Sequence, residues 1–84
     1  MLSPTPVVAL NRCVAVAEVR GPSLALELVD RLELGDYHLF HSTRADLLRR
    51  LGRTADAAAA YDAAIPLAAK AAERSFLVGR RNSL

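Results

Sequence analysis

The stretch Asp36–Ala69, DYHLFHSTRADLLRRLGRTADAAAAYDAAIPLAA, reads as two amphipathic helices joined by a tight turn at Gly52-Arg53-Thr54. Tyr37, Phe40, Leu47, Leu48 and Leu51 recur at helical spacing and give the first helix an apolar stripe. Asp36, following Gly35, is expected to cap it with its carboxylate. Arg49, Arg50 and Arg53 fall in or just past its last turn, where the helix dipole favours cations. Gly52 stands where a left-handed residue closes a helix, and Thr54 is expected to cap the next one, with Asp56 in its first turn. That second helix puts Ala57, Tyr61, Ala64, Ile65 and Ala68 on one face. Small residues let two helices approach closely, and Tyr61 fills the space between them. Pro66 removes a backbone donor and clashes one turn back, so a kink or an early end is expected near Ile65.

One helical hairpin cannot bury its own apolar face, so further elements must stack on it. Upstream, Ser3-Pro4-Thr5-Pro6 signals a helix start, a hydroxyl cap followed by proline at the first helical position. Helix one runs from about Pro6 to Val19. Its apolar residues, among them Val7, Val8, Leu10, Cys13, Val14, Val16 and Val19, do not fit on one face, which marks a helix covered from more than one side. Arg20-Gly21-Pro22-Ser23 turns the chain into helix two, about Pro22 to Glu33, with Ala25, Leu28, Val29 and Leu32 as its core face and Gly35 as its stop. The tail from Ala71 forms one more helix. Its Ala72, Phe76 and Leu77 are expected to pack back on the second hairpin, and fraying is expected after Val78.

The two halves echo one another. Gly21 and Gly52 lie 31 residues apart, with Val14 and Ala45 seven before each glycine and Ala17 and Leu48 four before. A helix-turn-helix period of this size is the mark of helical solenoids. Gly52, Ala57, Tyr61 and Ala64 resemble the second half of a tetratricopeptide repeat, with Ala45 where the first helix needs a small residue. The expected fold is therefore all-α: antiparallel helical hairpins stacked as a tetratricopeptide-like, right-handed array. One domain is expected, with hairpin 1 over about 6–34, hairpin 2 over about 36–69 and a short C-terminal helix over about 71–78. In that register Ser42, Asp46 and Arg49 face a concave groove, with Asn11, Ala15 and Glu18 as their counterparts on helix one. Glu18 and Arg49 are then within reach of one another.

Composition fits this reading. The chain has 84 residues, of which 52% are hydrophobic and only 5% aromatic, as suits an Ala/Leu/Val helical core. Its mean hydropathy of +0.18 is high for a small domain and points to apolar surface meant for a partner. The net charge of +2 resides wholly in residues 71–84; residues 1–70 hold eight basic and eight acidic side chains. There is thus a basic tail but no basic face, and the pI of about 9.2 says little about nucleic acid. The single cysteine, Cys13, sits in an apolar helix, excludes an internal disulfide and fits a reducing, cytoplasmic setting. The first apolar run is broken by Asn11, Arg12 and Glu18, so it reads neither as a signal peptide nor as a membrane span.

Chemistry finds little footing. His38 and His41, three apart on a helix, have a spacing that can serve a metal, but no third ligand accompanies them. No nucleophile, base and orienting acid occur together, and there is no glycine-rich phosphate loop. No catalysis, metal or cofactor is expected. Arg44 to Tyr61 could be set against a DNA-reading helix-turn-helix. Its second helix, however, holds no Arg, Lys, Asn or Gln from Ala55 to Ala69 and carries Asp56 and Asp62, so direct DNA reading is not expected.

Three segments together, SPTPVVALNRCVAVAEVRGP, DYHLFHSTRADLLRRLGRTADAAAAYDAAI and AAERSFL, resemble the extreme C-terminal region of one class of bacterial extracytoplasmic-function sigma factors, of the sigma-70 family. That class carries a tetratricopeptide-like extension after its promoter- and polymerase-binding regions. The resemblance spans about Ser3 to Leu77 and is strongest at VVALNR and at the YHL-H-TRADLLRRLGR block. The chain departs from the family pattern at Pro66 and at its VGRRNSL end. The resemblance implies a regulatory or protein-interaction domain involved in transcription initiation, which lacks the sigma regions and does not initiate by itself. It implies a protein partner: the rest of the sigma factor, the polymerase or a cytoplasmic regulator. It also implies preceding helices that would cover the outer side of helix one; without them a homodimer through that helix is expected. Asn11, Glu18, Ser42, Asp46 and Arg49 are the candidate interaction groove. The competing reading is a stand-alone tetratricopeptide-like adaptor unrelated to transcription.

Overall fold

In the computed structural model, which describes residues 5–84, Thr5 starts the first helix. Its hydroxyl accepts the Val8 N–H at 3.2 Å, and Pro6 follows as the first helical residue. Ser3 and Pro4, the other half of the expected start signal, lie outside the described residues. The helices are α1 (Pro6–Arg20), α2 (Pro22–Asp30), α3 (His38–Arg50), α4 (Thr54–Ala64) and α5 (Ala71–Asn82), with a 3-10 turn at Ile65–Leu67. No strand occurs among the described residues, so the fold is all-α.

Two glycines turn the chain between paired helices. Gly21, with φ of +91°, is the sole residue between α1 and α2, and its N–H donates to the Ala17 carbonyl at 3.0 Å. Gly52, with φ of +74°, closes α3 differently. Its N–H donates to the Arg49 carbonyl and the Arg53 N–H to the Leu48 carbonyl, each at 3.0 Å, which is the Schellman pattern. The two joints of the expected repeat are thus built alike in their left-handed glycine and unlike in length.

Several expected boundaries move. Helix two ends at Asp30 rather than Glu33. An acidic last residue opposes the dipole, and beyond it the chain alternates: Leu32 and Leu34 turn in against the core while Arg31 and Glu33 face out. Gly35 is not the stop of that helix but part of a turn closed by the Tyr37 N–H on the Leu34 carbonyl at 3.0 Å. Asp36 sits in the same turn and does not cap α3; Tyr37 takes the cap position without a side-chain bond. His41 Nε2 donates to the Gly35 carbonyl at 2.7 Å and pins the turn to α3 instead. Thr54 is the first helical residue of α4, not its cap: Arg53, with φ of −88° and ψ of 70°, takes the cap position and grips Asp56 at 2.7 Å.

The proline expectation holds. α4 stops at Ala64, and Ile65–Leu67 tightens into a 3-10 turn closed by the Ala68 N–H on the Ile65 carbonyl. α5 does not fray after Val78. It runs to Asn82, where the Ser83 hydroxyl donates to the Gly79 carbonyl at 2.8 Å and Arg81 reaches Asp62 of α4 at 2.8 Å. Of its three expected packing residues only Leu77 is buried; Phe76 is 61% exposed and Ala72 is exposed.

α1 packs with α2 and α3 with α4; α3 also packs on both α1 and α2, and α5 lies on α4. The core therefore centres on α3 and α4. Leu48 and Val29 are fully enclosed, and Ala45, Ala57 and Ala64 are the small residues at the close contacts. α1 gives the core only Leu10, Cys13 and Ala17. Val8 and Val19, opposite that stripe by helical position, stay exposed, Val19 at 81%. No helix among the described residues is long and apolar enough to cross a membrane.

Candidate interaction groove

α1 and α3 lie side by side and α5 lies on α4, so four helices line a groove of about 330 Å3. Ala17, Leu47, Tyr61 and Leu77 belong to its buried lining. Its polar side chains are Ser42, Thr43, Asp46, Arg49, Arg50 and Arg80. α3 supplies most of them because residues three, four and seven apart share a helix face, and Ser42, Asp46 and Arg49 have that spacing.

Asp46 is the centre of the charge arrangement. Its Oδ1 accepts from Arg49 Nη2 at 2.6 Å, and its Oδ2 forms an ion pair with Arg50 Nε at 3.0 Å. Arg50 Nη1 then reaches Glu18 Oε1 on α1 at 3.3 Å. Glu18 thus pairs with Arg50, not with Arg49 as the sequence register implied. The reason is that Arg49 is already turned inward toward Asp46 and Tyr61, which leaves the next residue to face α1. The hydrogen bond that Arg49 donates to Asp46 raises the Arg49 pKa above its ordinary value; the Asp46 charge and nearby Tyr61 add to this, against partial burial. Arg49 Nε is buried with no partner.

Of the five expected groove residues, Ser42, Asp46 and Arg49 line the groove, and Glu18 touches it through Arg50. Asn11 is exposed on α1 and lies outside the lining. The sequence reading missed Arg50, Phe76, Leu77 and Arg80. Phe76 and Arg80 stand four apart on α5, and the Arg80 guanidinium lies 5.3 Å from the Phe76 ring centre. That aromatic–cation spacing in the tail was the available signal. Among the described residues Arg80 has no acidic partner within ion-pair distance.

Next to this groove, and sharing Ser42, Phe76 and Leu77 with it, an apolar crevice of about 310 Å3 opens between α3 and α5, bordered by Leu39, Ala72 and the pair His38–Glu73 at 3.5 Å. A third depression, of about 340 Å3, lies between α1 and α2 over Val16, Leu28 and Leu32, flanked by Arg12 and Arg31.

The two histidines have separate duties, His38 against Glu73 and His41 against a backbone carbonyl. Among the described residues no three His, Cys, Asp or Glu side chains converge as a metal site would require. Burial pushes the Cys13 thiol up from its ordinary pKa, which keeps it protonated at neutral pH and a poor nucleophile.

No family model matches the chain, and no solved structure matches it. A protein of Rhizobium meliloti (strain 1021), printed as "Uncharacterized protein R00370", is 45% identical over 78 residues, which is 90% of this chain and 18% of that protein. The chain therefore spans less than one fifth of the length of the relative it matches.

Proposed function

We propose that the chain is the tetratricopeptide-like C-terminal regulatory and protein-interaction domain of an extracytoplasmic-function sigma factor, acting in the cytoplasm by contact with the rest of the sigma factor, the polymerase or a regulator. The observation that carries this reading is the uncovered apolar surface of the first hairpin. Val8 and Val19 are exposed, and Val16, Leu28 and Leu32 floor an open depression beside them. A small helical domain that leaves such a surface bare is suited to sit against another body. A relative in which the matching segment is 18% of the protein is consistent with a domain that has neighbours.

The paired helices, the left-handed glycines 31 residues apart and the concave groove beside α3 support the tetratricopeptide-like description. The resemblance of VVALNR and YHLFHSTRADLLRRLGR to the sigma-factor extension supports the transcriptional assignment.

The test uses the Rhizobium relative with and without the segment that matches this chain. Core RNA polymerase is supplied, and promoter-dependent transcripts are measured. The proposal expects the full-length protein to direct initiation and the deletion to abolish or deregulate it. A full-length protein that neither binds core polymerase nor directs transcription overturns the assignment.

A further inference from the structure

The groove and the crevice beside it form one trough whose two ends differ in chemistry. One end is lined by Arg49, Arg50 and Arg80, with Asp46 pairing the first two; a second carboxylate, Glu73, borders the other end against His38. Glu18 takes part of the Arg50 charge from outside. Arg80 is held only against the Phe76 ring, and Arg49 Nε has no acceptor. The other end is apolar, with Leu39, Phe76 and Leu77 as its walls, and Phe76 stands exposed at the junction.

A cation without an acidic partner among the described residues, Arg80, beside an apolar slot favours one kind of ligand: a chain segment carrying a carboxylate next to an aliphatic or aromatic side chain. We propose that this trough binds an acidic, apolar-anchored segment of a partner protein, with its carboxylate on Arg80 and its apolar side chain against Leu39 and Phe76. The inference rests on the interaction-domain reading above and names the partner chemistry of the groove. Phe76 serves as the anchor at the centre, and Arg80 as the cation that selects acid over amide.

The test is fluorescence anisotropy with the full 84-residue chain and a labelled synthetic peptide rich in Asp, Glu, Leu and Phe. Its companion is the same peptide with Asn and Gln for the acids. The acidic peptide is expected to bind at least about tenfold more tightly than the amide peptide, and to weaken as salt is raised. R80E and R80Q should each remove that preference, F76A should weaken binding of the acidic peptide, and R53E, remote from the trough, should change nothing. Circular dichroism verifies that each variant keeps its helix content. Equal binding of acidic and amide peptides, or acid preference untouched in R80E and R80Q, overturns the proposal. So does Arg80-dependent binding only to phosphatidylglycerol vesicles or to duplex DNA. Those failures leave the transcription assay of the Rhizobium relative unaffected, so the two readings fall separately.

Discussion

Glu18 of α1 and Arg50 of α3 meet at 3.3 Å across the seam between the two helical hairpins, and Arg50 simultaneously holds Asp46 at 3.0 Å. The same seam carries a second ion pair, Arg44 of α3 on Asp30 of α2 at 2.7 Å, and the two charge contacts together fix the register of the first hairpin on α3. Asp46 touches both Arg49 and Arg50. Its side chain and those of Arg49 and Arg50 keep about a third of their surface in water, which limits what each contact is worth. D46A is expected to lower stability by about 0.5–1.5 kcal/mol, because it also leaves two arginines side by side. E18Q should lower it by less than about 1 kcal/mol. Urea unfolding of both variants checks the order, and E18Q proving the more damaging would contradict it.

The two glycines Gly52 and Gly79 should respond in opposite directions to alanine. Gly52 has φ of +74°, where a side chain is strained whatever the space around it. G52A should therefore destabilise by about 1–2 kcal/mol, on the order of a 4–8 °C fall in Tm per kcal/mol for a domain of this size. Gly79 lies inside α5, in the turn before its last residue Asn82, with nothing within 4 Å of a built-on Cβ. G79A should raise stability by about 0.5–1 kcal/mol through better helix propensity. Calorimetry of the two single variants reads both signs at once.

Acid should loosen α5 before the rest. The hydrogen bond from Arg81 holds the Asp62 carboxyl below its ordinary pKa. A depressed folded-state pKa contributes stability that is complete above the unfolded value, near pH 4, and is lost as pH falls through the folded one. Amide exchange of α5 should accelerate relative to α3 as pH drops below about 4, after correction for intrinsic rates. In D62N the α5 rate should be faster at neutral pH and lack this additional acid step. An α5 that opens no earlier than α3 in the wild-type chain would remove the pair's role.

Much of this arrangement was legible in the chain itself. The central hairpin could be read because its cues agree: apolar spacing along α3, small residues plus Tyr61 along α4, a glycine at the joint and a proline at the end. Helix one could be read as over-apolar for the same reason, since no single face holds its valines. What failed to show was set by tertiary geometry. Whether Arg49 or Arg50 faces Glu18 depends on which of two adjacent arginines is drawn inward by Asp46 and Tyr61. The capping roles given to Asp36 and Thr54 failed because His41 and Arg53 supply those turns with other contacts. The groove role of α5 was hidden because its glycine and polar end suggested fraying, whereas Arg81 and Leu77 anchor it to α4 and the core.

In the absence of a neighbour, the bare face of α1 should find a second copy. Burying apolar surface gains roughly 25 cal/mol per Å2, and Val8 and Val19 are available on that side. Light scattering across a concentration series is expected to show a reversible dimer, and V8E/V19E a monomer of unchanged helix content. A dimer that survives V8E/V19E would place the interface elsewhere.

Whether that same face belongs against the rest of a longer protein can be measured directly. The Rhizobium relative, deleted for the segment matching this chain, is titrated with the isolated 84-residue chain by calorimetry. Docking through α1 predicts a one-to-one complex that V8E/V19E abolishes and that competes with the homodimer. Heatless mixing, with the deleted relative folded and the chain a monomer at every concentration, would contradict the account and leave a self-sufficient helical adaptor in its place.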